Sequence, residues 1–184
     1  MASLKELLYS DLARQYELAG RDVRPNFFRL LGRLLHYRFL PGALYRVSRA
    51  AMLAGIPVLP HLLSYANIVL FGLDVTPRCE IGPGLFFAHP VGCAIGARRI
   101  GRNVTIFQGV NVGAKEIDMK FDPALRPEVG DNVTFGVGCM VFGPIRVGDN
   151  AVIGANSVVL DSVEPNTTVA GTPARRVELR AIPR

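Results

Sequence analysis

The chain has 184 residues, 49% of them hydrophobic, a mean hydropathy of +0.27 and a formal charge of +6. That is enough apolar material for one core, or for a solenoid beside a small helical unit, and it excludes a largely disordered chain. The charge is unevenly placed: residues 1–73 carry nine Lys/Arg against four Asp/Glu, residues 74–170 eight against ten, and residues 171–184 four against one.

Ser3 followed by Glu6 reads as a capping box that opens a helix through Ala19, with an apolar stripe of Leu4, Leu7, Leu8, Leu12 and Leu18. This charged, amphipathic start is no secretory leader, so the cytoplasm is the expected setting. A turn around Gly20–Pro25 precedes a second helix from about Asn26 to Tyr37. Pro41 and Gly42 are expected to break it before a third helix from about Ala43 to Ala54. Residues 56–73 are almost uncharged, but Pro57, Pro60, His61 and Asn67 interrupt them. Only about 15 residues follow the first proline, too few to span a bilayer. Burial against a neighbouring subunit or on the first coil is expected there, and membrane contact is not.

From Val129 onward every sixth residue is apolar: Val129, Phe135, Val141, Val147, Ile153 and Val159. Four positions after each stands a small or aliphatic residue: Val133, Cys139, Ile145, Ala151, Ser157 and Val163. A period of six fits neither a helix nor the alternation of a β-sandwich strand. It fits a three-faced solenoid of short strands, about 18 residues to a coil, with the lead residues stacked along its axis. The repeat extends backward in two phases, Val75, Ile81, Phe87 and Cys93, then Ile100, Ile106 and Val112. It fails from Gly113 to Glu128, a charged stretch with two prolines that reads as a loop thrown out of the coil at the working face. The expected division is a helical segment over 1–70, a solenoid over 71–170 carrying the loop 113–128, and a basic tail over 171–184.

The arginines of the first segment stand singly among apolar residues, with no zinc-finger, RNP or arginine-rich run, so no nucleic-acid partner is expected. Cys79, Cys93 and Cys139 show no paired spacing and are odd in number, which indicates neither a disulfide framework nor a metal site. Cys93 and Cys139 occupy repeat positions that want a small apolar residue. The tail arginines Arg175, Arg176, Arg180 and Arg184 are suited to a phosphorylated cofactor at the end of the solenoid.

His89 is the one histidine inside the repeats, in Phe87-Ala88-His89-Pro90-Val91-Gly92, and Asp74 lies fifteen residues before it. Ile81-Gly82-Pro83-Gly84, Ile106-Phe107-Gln108, Val112-Gly113-Ala114 and the closing Gly171-Thr172-Pro173-Ala174-Arg175 complete the pattern. Over roughly residues 60–178 the chain resembles the serine acetyltransferase branch of the hexapeptide-repeat acyltransferases. The resemblance implies a mainly β protein, a left-handed parallel β-helix behind an N-terminal α-helical segment. It also implies a homotrimer with active sites between neighbouring solenoids, and acetyl-CoA as acyl donor with no metal. Transfer to an alcohol needs a base, a role that fits His89, with Asp74 fixing its tautomer. Gly113, Ala114, Gly136, Val137, Gly154 and Ala155 match positions where the pantetheine arm of the donor would approach the backbone, and Arg175 and Arg176 would meet its phosphates.

Two departures concern the acceptor. The family carries an acid immediately before the histidine where this chain has Ala88, and a second histidine in a segment that here reads Leu125-Arg126-Pro127-Glu128-Val129. Serine's ammonium then lacks an obvious partner, while Arg126 offers a planar fork for a carboxylate or phosphate. The expectation is an O-acetyltransferase acting on a sugar or other small non-serine alcohol. Serine acetylation and a non-catalytic scaffold are the alternatives.

Overall fold

The structure is a computed structural model that describes residues 2–178. Helix α1 (Leu4–Leu18) starts at the anticipated capping box: Ser3 Oγ accepts from the Glu6 N–H, and Glu6 Oε2 accepts from the Ser3 N–H. Helix α2 (Phe27–Arg33) is capped by Asn26 and is shorter than expected, because the chain leaves it through a run of tight turns from Leu34 to Phe39. Helix α3 (Leu40–Leu53) corrects the expected break at Pro41 and Gly42. Proline in a first helical turn lacks only an N–H that no intrahelical bond would have used.

The apolar stretch forms a fourth helix, α4 (Leu59–Phe71), with Pro60 in its first turn and Gly72 ending it at a left-handed φ of 60°. One side packs on α3 and on the first strand, while Leu62, Tyr65, Val69 and Leu70 face solvent in the single chain. Burial of this stretch is therefore only partial. Among the described residues no helix is long and apolar enough to cross a membrane.

The remainder is a left-handed parallel β-helix of about five turns with three sheets. The first sheet stacks Leu73–Val75, Cys93–Ile95, Asn111–Gly113, Met140–Phe142 and Val158–Val159. The second stacks Glu80–Ile81, Arg99–Ile100, Glu128–Val129 and Arg146–Val147. The third stacks Phe86–Phe87, Thr105–Ile106, Thr134–Phe135, Val152–Ile153 and Thr168–Gly171, and the antiparallel strand Ala174–Arg176 closes it. The sixfold residues form the axis: Phe135, Val141 and Ile153 are fully buried, as are Ile100 and Ile106 of the other phase. The phase shift is a coil-length effect, since Glu80 pairs with Arg99 but Glu128 pairs with Arg146, one residue fewer. The three cysteines are free and buried in the same core.

At the corner between the second and third sheets four asparagines stack, which the apolar periodicity alone does not reveal. Asn103, Asn132, Asn150 and Asn166 all have φ of 56–58°. Each of the first three donates its side-chain N–H to the next one's Oδ1, at 3.2, 3.1 and 2.9 Å. Asparagine tolerates the left-handed region that such a corner demands, and the side-chain ladder continues the backbone ladder.

A buried ion pair fastens the helices to the first coil. Arg46 of α3 grips Asp11 of α1 through Nε and Nη2 at 2.9 and 3.0 Å, and also donates to the carbonyls of Ile81 and Gly82. The two side chains are 0% and 5% exposed. Burial pushes the Asp11 carboxyl above its usual range, against the pull of Arg46 and the N–H groups of Leu85 and Gly84.

Candidate active site

The outward residues of the first sheet fall in register across five coils as Asp74, Ala94, Asn111, Met140 and Val158. Strand alternation dictates this, because the residues on either side of each point into the core. Asp74 thus stands exposed at the head of a file of small and medium side chains. Beside it lies a cavity of about 310 Å³ whose lining includes Asp74, Thr76, Asn111, Gly113, Phe121 and Arg126. A larger groove of about 610 Å³ lies between α1, α3 and the second sheet, and it touches none of the residues expected to act in catalysis or to bind acceptor or donor.

His89 sits at the corner between the third and first sheets, with its side chain exposed. That corner forms a straight edge, because successive coils bond there. The Gly109 N–H donates to the Val91 carbonyl at 3.0 Å, that of Gly138 to Gln108 at 2.8 Å, and that of Asn156 to Val137 at 2.7 Å. Gly136, Val137, Gly154 and Ala155 therefore lie on the same edge as His89, two and three coils away, or about 10 and 14 Å at the usual strand spacing. Their roles divide. A Cβ on Gly136 would come within 2.7 Å of the Ile153 carbonyl, and one on Gly154 within 2.8 Å of Ala170 Cβ. These glycines face the next coil and keep the corner tight, whereas Val137 and Ala155 present their side chains outward.

The structure brings some expected residues together and keeps others apart. Gly113 and Ala114 lie at the opposite margin of the first sheet, where the chain leaves for the loop, and a Cβ on Gly113 would meet open space. Among the described residues the Asp74 carboxylate and the His89 ring form neither a hydrogen bond nor an ion pair. Instead, the His89 ring stacks loosely on Tyr37, with centroids 6.4 Å apart. Ala88 is a buried methyl, 7% exposed, whose N–H donates to the Ile106 carbonyl. It contacts the coil and offers no polar handle.

Arg126 was expected to offer a free fork, and the structure fills that fork from within the loop. Nε and Nη2 donate to Asp118 Oδ2 at 2.9 and 2.8 Å, and Nη1 donates to the Gly96 carbonyl at 2.7 Å. Phe121, at a left-handed φ of 58° that is unusual for a bulky residue, lays its ring 3.9 Å from the guanidinium carbon. Burial raises the Asp118 carboxyl, but the Arg126 hydrogen bonds and charge and the N–H groups of Asp122 and Lys120 outweigh it, leaving it below the usual carboxylate range. Arg126 thus pins the loop 113–128 against the coil beside Asp74.

Arg175 and Arg176 lie on the closing strand, both exposed, with Arg175 3.6 Å from Asp161. Arg180 and Arg184 fall outside the described residues. Tyr37 escaped the sequence reading, and Gln108 entered it only as part of a motif. Tyr37 comes from the helical segment, 52 positions before His89, and no local pattern marks it. Gln108, on the His89 edge, has a buried Oε1 with no hydrogen-bond partner, and such an orphan is uncommon enough to need a reason. Among the described residues no cluster of metal-ligating side chains occurs.

Residues 128–161 match the family model described as the hexapeptide repeat of succinyl-transferase. A serine acetyltransferase of Staphylococcus xylosus is 42% identical over 124 residues, which take in 66% of this chain and 55% of that protein. The chain spans about half the length of the curated relatives it matches. The soybean serine acetyltransferase apoenzyme superposes with a TM-score of 0.80 at 33% identity, covering 95% of this chain and 69% of that one. A serine acetyltransferase structure in complex with CoA gives 0.80 at 29% identity, covering 95% and 70%. With the coils, the corner histidine and these likenesses in agreement, the chain belongs to the hexapeptide-repeat acyltransferases, in their serine acetyltransferase-like branch.

Proposed function

We propose that this chain transfers an acetyl group from acetyl-CoA to the hydroxyl of a small acceptor, with His89 as general base. The observation that carries the reading is the exposed His89 imidazole at the head of an edge that also bears Val137 and Ala155. The closing strand with Arg175 and Arg176 lies five strand spacings away in the third sheet, or about 24 Å. Along that edge the pantetheine arm lies against Val137 and Ala155, the Gln108 side chain turns outward so that its Oε1 accepts from one of the arm's amide N–H groups, and the phosphates meet Arg175 and Arg176. Gly113 and Ala114 border the acceptor side of the first sheet rather than the arm.

The chemistry is a direct attack. His89 takes the acceptor's hydroxyl proton as the oxygen bonds to the thioester carbonyl carbon. The tetrahedral intermediate then collapses, the carbon–sulfur bond breaks, and the departing sulfur recovers the proton from the imidazolium. Asp74, on the neighbouring strand of the first sheet, steadies that imidazolium. Catalytic hydrogen bonds commonly tighten only in the substrate complex, so a rotation of the Asp74 side chain toward His89 on binding is part of the proposal. The functional unit is a homotrimer, in which a neighbouring solenoid forms the second wall of the cleft, and it works in the cytoplasm.

L-serine is the first acceptor to test, because the relatives described above carry that substrate in their names. A second reading, a sugar or other alcohol without an ammonium group, draws on one observation: Ala88 is a buried methyl where the branch has an acid. Arg126 no longer favours an acidic acceptor, since such a group would have to displace Asp118. Thiol release from acetyl-CoA across L-serine, L-homoserine and a panel of nucleotide sugars tests both readings. Acceptor-dependent release supports acetyl transfer and names the class. Release with none of them, and no thermal shift with CoA, leaves a scaffold.

A further inference from the structure

We infer that Tyr37 is a positioning residue for His89, supplied by the helical segment; the inference rests on the assignment of His89 as base. Three flat groups stand in sequence there. The His36 and Tyr37 rings stack with centroids 5.1 Å apart and 19° between planes, and the Tyr37 and His89 rings follow at 6.4 Å and 27°. Both spacings lie within the range in which offset aromatic pairs attract. The Arg38 guanidinium stands 5.2 Å from the centre of the Tyr37 ring, on which a cation is favoured.

The platform is held from behind. The Gln15 side chain of α1 donates to the Arg38 carbonyl at 3.0 Å, and the Arg38 N–H donates to His36 Nδ1 at 3.3 Å. The N–H groups of Phe39 and Leu40 both donate to the His36 carbonyl, and Phe39 is sunk to 2% exposure in the helical core. The link from α2 to α3 therefore presents Tyr37 from a fixed backbone. His89 needs such a neighbour. As an exposed side chain on a corner, with no hydrogen bond to Asp74 in the single chain, its ring would otherwise exchange among several rotamers, and only some aim a nitrogen along the first sheet. Stacking narrows that choice while leaving both ring nitrogens available to the acceptor and to Asp74. It also gives a role to the packing of the helical segment on the first coil, where His89 is. Tyr37 itself is 46% exposed, so its role is not core packing.

The test uses the full chain and two readouts. The protein has three histidines, His36, His61 and His89, so ring signals in a histidine-labelled sample are assignable by single substitution. Tyr37→Leu should move the His89 ring protons toward their solvent-exposed values and lower kcat for thiol release with L-serine about tenfold. KM for acetyl-CoA and Tm should be unchanged, and Tyr37→Phe should restore both the shifts and kcat. Unchanged His89 shifts in Tyr37→Leu, wild-type kcat in that variant, or a Tyr37→Phe protein as impaired as Tyr37→Leu would each overturn the inference. A wild-type protein that turns over none of the acceptors sinks the proposed activity instead, and the ring shifts then decide the stack by themselves.

Discussion

In the proposed acetyl transfer Asp74 and Gln108 each give a separable effect. With asparagine at position 74 the geometry survives but the imidazolium loses its counter-charge. Asp74→Asn should therefore lower kcat by roughly 10²–10⁴-fold with little change in KM for acetyl-CoA, measured by thiol release. Gln108→Leu removes an unpaired buried acceptor that contributes nothing to the free fold, so its Tm should stay level or rise. If the pantetheine arm uses that oxygen, KM for acetyl-CoA should climb about two- to tenfold, the value of one hydrogen bond. Both effects belong to single atoms, which is why the sequence exposed one and hid the other. Asp74 and His89 are legible as a spaced pair in a known pattern. Gln108 Oε1 matters only because no donor reaches it, a fact about its surroundings that no spacing encodes.

Among the elements, the asparagine corner, the pinned loop and the helical anchor each hold a different part of the site in place. Asn132→Ala removes two rungs of the ladder and forces alanine into a left-handed φ of 57°. Chemical denaturation should show a loss of about 2 kcal/mol. The loop answers to pH instead. Asp118 is held below the usual carboxylate range, so its hold on Arg126 is complete at neutral pH and is lost as pH falls through its lowered value. Hydrogen exchange corrected for its intrinsic pH dependence should show the amides of 116–126 losing protection in that acid window. The same loss should be present at neutral pH in Asp118→Asn. Arg46→Met strands the Asp11 carboxylate in a dry site and should destabilise by about 3–5 kcal/mol in the same denaturation assay.

The elements were legible to different degrees. Sixfold recurrence exposes the axis because inward residues of a solenoid obey a strict period. The loop announces itself by breaking that period. The helix boundaries were harder. Pro41 and Pro60 both sit in first turns, where proline starts a helix as readily as it stops one. The charge on Arg126 gave no clue that Asp118, eight residues earlier, would claim it.

At the scale of the whole molecule, α2 and α4 leave Phe28, Leu31, Leu62, Val69 and Leu70 open in the single chain, near the end of the prism where His89 stands. Exposed apolar side chains in such number are suited to an interface, and the proposed trimer would cover part of them. Sedimentation equilibrium should return a mass three times that of one chain, or six times if trimers pair. The proposed chemistry turns on one ring, and the most direct test compares the wild type with His89→Ala in acetyl-CoA turnover under saturating acceptor, with circular dichroism confirming equal folding. It predicts acceptor-dependent release of CoA by the wild type and a loss of at least about 10²-fold in the variant. Equal turnover by the two proteins would contradict it.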